Sequence, residues 1–401
     1  MQINIENYWK NWKVWHKKMK KFFKPLILLA AFVFSINASF ADFSFNDMEL
    51  KFAQVSDVHT SNSPDTAYKV LSHSKELLKS TIEDLNKIKG LDFVVFTGDM
   101  ANEPTKELYK DFFTLLQKLN YPSILVLGNH DSSMSGENPN YMNKEVVYQI
   151  LRMANPYQNY DNLYFAYSPA KDFRVIVLDT TIGIENSNGM LSEEQLNFLD
   201  NEINENQDKV ILIFQHHPVI EPFKSEDHKL INAENYLAIL KKYEKVPIAI
   251  FAGHYHAARI ERKGNVIFVA TPSLVTYPNA FRTVNITNYN DRVIFTFNFH
   301  ETKLKDVQEL SKSGLIASAV FSGKPSDKNN EIMIRKGYVP KPKLTKEEKA
   351  EQKALIKAKK AEEKAQREAE KQADKAYRKA IKDAKKAEKE EKKRLKEEGA
   401  N

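Results

Sequence analysis

The sequence predicts an α/β fold in which helices cover the faces of a sheet, and two observations carry that prediction. Residues 50–300 alternate short, continuously apolar runs with amphipathic stretches of helical period. From about Ala257 the pattern changes to closely spaced strand-like runs, which read as an antiparallel close to the domain near His300.

The elements follow in order. "LKFAQVS" (Leu50–Ser56) reads as a strand, and Ala67–Ile88 repeats apolar residues at helical spacing. Asp92–Asp99 is a strand, Lys106–Leu119 a helix, and "SILVLGNHD" (Ser123–Asp131) a strand running into polar residues. Phe173–Asp179 is another strand, Leu191–Ile203 a helix, and Lys209–His217 and Pro247–His256 two further strands. "ARIERK", "NVIFVAT", "FRTVNIT" and "RVIFTFNFH" complete the set.

The ends differ from this middle. Met19–Asp42 has a basic start, an apolar run from Pro25 to Ile36 and small residues at Ser39 and Ala41, the pattern of an export signal cleaved after Ala41. The run is too short for a comfortable membrane span. Met19 begins a compact signal by itself, so Met1–Lys18 reads as the product of a misplaced start. The organisation expected is therefore a signal over 1–41, a domain over 42–305, a Ser-, Gly- and Pro-bearing linker over 306–343, and a Lys/Glu/Ala-rich helix over 344–399. In that tail alanines recur about every 3.67 residues, nearer an eleven-residue repeat than a heptad, which predicts a single helix or at most a weak coiled coil.

Charge follows the same division. The net +7 comes from roughly +6 over residues 1–41 and roughly +8 over 341–401, which leaves the middle roughly −7. The basic tail carries one Tyr, too few stacking residues for a specific nucleic-acid site. Its charge suits contact with anionic envelope polymers or lipids, or simple solvation as an isolated helix. There are no cysteines, which excludes disulfides, thiolate-bound zinc and thiol catalysis.

Five strand ends finish in residues able to bind a metal: Asp57 and His59; Asp99; Asn129, His130 and Asp131; His216 and His217; and His254 and His256. Side chains at the carboxyl ends of strands in an α/β fold converge in one crevice. Each piece alone has an ordinary reading: a turn, a helix start, or a solvent-facing pair of histidines. Together, each at the end of an apolar run, they point to a metal site.

The order Asp-x-His, Gly-Asp, Gly-Asn-His-Asp, His-His-Pro, Gly-His-x-His resembles the calcineurin-type metallophosphoesterase superfamily. With "LSEEQLNFLDNEI", "ATPSL" (Ala270–Leu274) and "NAFRTVNI" (Asn279–Ile286), the chain most resembles the class III cyclic nucleotide phosphodiesterase branch. The resemblance covers about Leu50 to His300 and implies a four-layer α/β/β/α sandwich holding two metal ions. It implies that Asp57, His59 and His256 hold the first, that Asn129, His216 and His254 hold the second, and that Asp99 bridges them through both carboxylate oxygens. Two such cations bring the pKa of a water between them near neutrality and neutralise phosphate oxygens. With N and O donors and no thiolate, Mn, Fe and Zn all suit the site.

His130 resembles the family's catalytic histidine, aimed at the leaving-group oxygen. Asp131 is expected to orient that imidazole as a dyad partner. Asn102, in "GDMAN", is a candidate phosphate contact, and His217 is expected to point away from the ligands. The substrate wall falls in Thr60–Tyr68, Ser132–Tyr148 and Ile182–Met190, with "SSMSGENPNYMNKEVV" a candidate lid and Tyr141 or Tyr148 a candidate stacking residue. The expected activity is hydrolysis of small phosphodiesters or monoesters outside the cytoplasm. The rival class is a non-catalytic envelope scaffold using the domain as a platform, against which the intact ligand set weighs.

Overall fold

The computed structural model describes residues 48–336, apart from 132–137, 156–157, 159, 161, 183–186 and 314–317, together with Lys357. The expected signal over 1–41, the first half of the candidate lid, and the helix over 344–399 except Lys357 lie outside the described residues.

Strand β1 (Glu49–Val55) sets the layering through its two-residue side-chain alternation. Ala53 and Val55 face a core shared with helices α1 (Ser74–Leu85), α2 (Lys106–Leu116) and α3 (Lys144–Ala154). Phe52 and Gln54 face the other way, toward a second sheet. Strands β2 (Phe93–Thr97) and β3 (Ser123–Val126) extend the first sheet in parallel, with Phe52 opposite Phe93 and Val95 opposite Ile124. On its other side β1 meets β10 (Ala280–Asn288) and then β11 (Arg292–Glu301), both antiparallel.

The second sheet has β5 (Phe173–Val177), β6 (Val210–Phe214), β7 (Ile248–Ala252) and β9 (Val266–Ala270) in parallel. β4 (Phe165–Tyr167) and β8 (Arg259–Lys263) close its edges antiparallel. Helices α4 (Glu193–Glu205) and α5 (Ala233–Lys242) cover its outer face. Between the sheets Phe52 stacks on Phe93 at 5.1 Å and meets Phe214 and Phe251 edge-on at 5.3 and 5.1 Å. Each buried ring contributes about 1.5–3 kcal/mol, and the edge-on pairs add to that. The result is the α/β/β/α sandwich expected, with each sheet six-stranded.

Three expectations need correction. The helix predicted from Ala67 starts at Ser74, after a 3-10 turn at Leu71–His73. Thr66 Oγ1 accepts from Lys69 N and Asp65 Oδ1 from Ser72 N, and such side-chain contacts compete with helical bonding. The last four residues of the candidate lid, Lys144 to Val147, are the start of α3, capped by Asn143, and Tyr148 is buried in the core with its hydroxyl bonded to Asn162 O, so it is no stacking residue. The segment read as a linker from residue 306 is built into the domain through Lys336. It forms α6 (Lys305–Ser313), α7 (Ser318–Ser322), α8 (Pro325–Lys328) and β12 (Asn330–Arg335), which adds an antiparallel edge to β11.

The fully buried Arg282 fastens this extension. Its guanidinium donates to Asp327 O, Lys328 O, Ala270 O and Thr271 Oγ1. The composition looked like a linker because Ile332 and Ile334 are its main apolar anchors, spaced for a strand too short to stand out. A chain ended after Thr302 is therefore expected to melt at least about 5 °C below one ended after Lys336, because β12 buries two isoleucines and shields an edge. Scanning calorimetry of the two proteins checks it, and equal melting temperatures would return the segment to linker status.

Candidate metal centre

The ligand-bearing turns are built in strained backbone. Asp57, His59, Asp99, His254 and His256 have φ of 50°, 45°, 53°, 69° and 54°, a region that costs L-residues on the order of 1–3 kcal/mol each. Cross-bonds hold them there. Asp57 N donates to Gly98 O at 3.1 Å and His59 N to Asp99 O at 2.8 Å, joining the ends of β1 and β2. His254 N donates to both Asp57 carboxylate oxygens, and Gly253 N to His216 O. Two glycines are required by close approach: a Cβ on Gly128 would lie 2.1 Å from Asp99 Oδ1, and one on Gly253 would lie 1.8 Å from Ser56 Oγ.

On this frame all seven expected ligands come together. His59 Nε2 lies 3.1 Å from His256 Nε2 and 3.5 Å from Asp99 Oδ2, and His256 Nε2 lies 3.4 Å from Asp57 Oδ1. On the other side, His216 Nε2 lies 3.0 Å from Asn129 Oδ1, 3.1 Å from His254 Nδ1 and 3.5 Å from Asp99 Oδ2. Asp99 thus reaches both groups through Oδ2 alone, not through both carboxylate oxygens as expected, because its Oδ1 accepts His130 N at 2.9 Å.

The donor chemistry fits cations. His216 Nδ1 donates to Thr97 O at 2.8 Å, which leaves a lone pair on Nε2 facing the Asn129 and Asp99 oxygens. Acceptor facing acceptor, all buried, is an arrangement that a positive ion between them resolves. Burial holds His59 and His254 well below the usual imidazole range, helped by neighbouring positive groups, so both offer neutral nitrogen. Burial alone would raise Asp57, but His256 outweighs it and brings the carboxyl to about 2. His216 moves the other way: the Asp99 and Asp57 carboxylates overcome burial and raise it, so a proton competes with a cation for Nε2.

His130 takes the expected place but not the expected partner. Its ring meets His59 edge-on at 4.6 Å between centroids, and its Nδ1 donates to Asn102 O at 2.7 Å. Asp131 is turned away and fully buried. Its carboxylate accepts Gly128 N, Met100 N, Ala101 N and the Tyr109 hydroxyl, fastening the turn after β2 to the turn after β3. Burial and then the charge of Asp99 push its carboxyl up to about 7. The dyad role assigned to Asp131 is therefore wrong: within the 3-10 turn Asn129–Asp131 adjacent side chains diverge. Asn102 does orient His130, through its main-chain oxygen, while its side-chain amide donates to Glu103.

His217 is held behind the ligands, with Nδ1 2.8 Å from Thr180 Oγ1 and Nε2 3.1 Å from Ser187 O. Several supporting residues went unread in the sequence. Thr276 Oγ1 meets His256 Nδ1 at 2.7 Å, and Ser273 Oγ donates to Asp57 O at 2.7 Å; both sit in or just after "ATPSL". Lys69, almost buried, brings Nζ to 3.5 Å from His130 Nε2. A lone lysine in a loop gives no sequence signal. Around the mouth stand Tyr68, 6.0 Å from the His256 ring, and Phe321 of α7, 6.4 Å from Tyr68 and 6.0 Å from Phe223.

Comparison with known proteins agrees with this geometry. A model of the calcineurin-like phosphoesterase family matches residues 50–258. The chain is 31% identical over 227 residues to a probable glycerophosphodiester phosphodiesterase of Arcobacter nitrofigilis, covering 55% of this chain and 77% of that protein. It is 26% identical over 211 residues to a probable cyclic nucleotide phosphodiesterase of Coxiella burnetii, covering 52% and 76%. In fold it matches a dimetal phosphatase of Danio rerio with a TM-score of 0.50 at 17% identity, covering 63% of this chain and 99% of that one. The family match and the relatives make the chain a metal-dependent phosphoric ester hydrolase, and the paired clusters offer the donors such an enzyme needs. The chain belongs to the calcineurin-like phosphoesterase family.

The two neighbours in the Asn-His-Asp turn should separate cleanly on substitution. Asp131→Ala strips three backbone N–H groups and a buried phenol of their acceptor and should lower unfolding free energy by about 3 kcal/mol. His130→Ala should leave stability within about 1 kcal/mol while abolishing most activity. Denaturant titration beside an assay reads both, and equal destabilisation would contradict the assignment.

Proposed function

We propose that this protein is an exported phosphodiesterase that hydrolyses small phosphodiesters at a pair of metal ions. The observation that carries the reading is the sharing of Asp99 Oδ2 between the His59 and His216 sides, with His130 set immediately beyond. Asp57, His59 and His256 on one side and Asn129, His216 and His254 on the other, with Asp99 between, would hold two cations, which would supply Lewis acidity toward phosphoryl oxygens and lower the pKa of a bound water. Mn, Fe or Zn fits the all-N,O donor set.

The chain's own residues do the rest. Asn129 contributes a neutral oxygen where a carboxylate would add charge, which favours an anionic substrate. Asn102 O fixes the His130 ring through Nδ1, so that Nε2 is the nitrogen left to serve the leaving-group oxygen with a proton or a charged hydrogen bond. The exposed Tyr68 and the half-buried Phe223 and Phe321 offer ring faces beside the mouth, which suits a diester with an organic group on each side better than a bare monoester.

The names of the two relatives, one acting on glycerophosphodiesters and one on cyclic nucleotides, support diester chemistry. The signal-like segment favours phosphate scavenging or envelope-lipid turnover over cytoplasmic signalling. The basic stretch over 344–399 would then serve as an arm for anionic envelope components.

Removal of metal by chelation should abolish hydrolysis of bis(p-nitrophenyl) phosphate, and Mn, Fe or Zn should restore it. Asp99→Ala should lose at least about a thousandfold in kcat/KM, since both ions depend on it. A chelated, metal-free protein at full activity would end the reading. Export is tested separately, by N-terminal sequencing of secreted protein: a start at Asp42 supports it and a start at Met1 refutes cleavage.

A further inference from the structure

Lys69 is only 6% exposed, yet among the described residues no carboxylate pairs with its ammonium group. Its neighbours are His130 Nε2 at 3.5 Å, too far for a good hydrogen bond, and the Tyr68 ring, 5.6 Å from Nζ to centroid. Taking an ammonium group out of water without a counter-ion is costly. Burial accordingly lowers its pKa, and the charges of Asp99, Asp57 and Glu103 only partly compensate.

The residue is held in place as well. Lys69 N donates to Thr66 Oγ1 and its carbonyl accepts Thr66 N, while Val70 N donates to Val275 O at 2.8 Å. This bonding is what delays α1 until Ser74, so the loop spends a helical turn on aiming one cation at the site.

We propose that Lys69 is an anion clamp, its ammonium group binding an oxygen of the substrate's phosphoryl group on the side of the metal centre where His130 stands. The proposal deepens the phosphodiesterase reading and rests on it. The clamp contacts substrate directly, supplying positive charge from the His130 side and orienting the phosphoryl group so that the leaving oxygen faces His130. Lysine suits this as a point charge on a phosphate oxygen.

The test uses full-length, metal-loaded protein and inorganic phosphate as the probe, with binding read by titration calorimetry. Lys69→Met should keep its metal content and melting temperature but bind phosphate about tenfold or more weakly, the size expected of a charge-assisted hydrogen bond. Lys69→Arg should recover most of the loss. The same weakening should appear when Lys69→Met is placed on His130→Ala, because the clamp does not act through His130. With bis(p-nitrophenyl) phosphate, Lys69→Met should raise KM as well as lower kcat. Unchanged phosphate affinity in Lys69→Met, or an effect that vanishes in the His130→Ala background, would overturn the proposal. A wild-type protein that binds phosphate through Lys69 but cleaves no diester would instead sink the phosphodiesterase reading and leave the clamp standing.

Discussion

The site depends on one carboxylate serving two groups of ligands at once. Asp99 Oδ2 sits 3.5 Å from both His59 Nε2 and His216 Nε2, and its other oxygen accepts the amide of His130. The same side chain therefore ties together both groups of candidate ligands and the backbone of His130. Much of the surrounding sequence exists to hold it. Asp99 itself stands at φ 53°, Gly128 leaves room for its oxygen, and Asp131 fastens the Met100 and Ala101 amides that follow it.

The ligands are divided between the sheets, and that division ties packing to chemistry. Asp57, His59, Asp99 and Asn129 follow strands of the first sheet; His216, His254 and His256 follow strands of the second. Neither half is a site alone. The halves are brought into register by bonds that cross between sheets: His216 Nδ1 to Thr97 O, His254 N to the Asp57 carboxylate, and Gln54 Nε2 to Ala252 O. The Phe52, Phe214 and Phe251 contacts beneath them help hold the two sheets in register. A cavity there would shift one set of imidazoles against the other, and sub-ångström errors matter where donor atoms are 3.0–3.5 Å apart.

What the sequence made legible follows from which physics it writes locally. The candidate ligands could be placed together because each sits at the end of an apolar strand, and strand ends in such a fold share an edge; which seven of them were expected to hold metal came from the family resemblance. The orientation of His130 could not. Adjacency in Asn129-His130-Asp131 suggested a dyad, but a 3-10 turn splays consecutive side chains, and the true partner is a carbonyl with no side-chain signature. Tyr109 and Arg282 were equally silent, since each acts on groups far away in the chain: Asp131 for the first, the extension at 327–328 for the second. Lys69 stayed hidden because burial of a loop lysine is a tertiary fact.

Charge balance explains why the centre takes an asparagine at position 129 and a lysine at position 69. Two carboxylates, Asp57 and Asp99, are the acidic members of the candidate ligand set, and the others are imidazoles and the Asn129 amide. Two divalent cations outweigh two carboxylates, so the loaded centre carries excess positive charge inside a low-dielectric edge between sheets. A third carboxylate at 129 would remove that excess and weaken the attraction for a phosphate ester. The acidic middle of the chain makes the point sharper, because the surrounding field does nothing to recruit an anion. The pull must come from the centre itself, where the ions, and Lys69 beside His130, concentrate positive charge over a few ångströms while the rest of the domain remains negative.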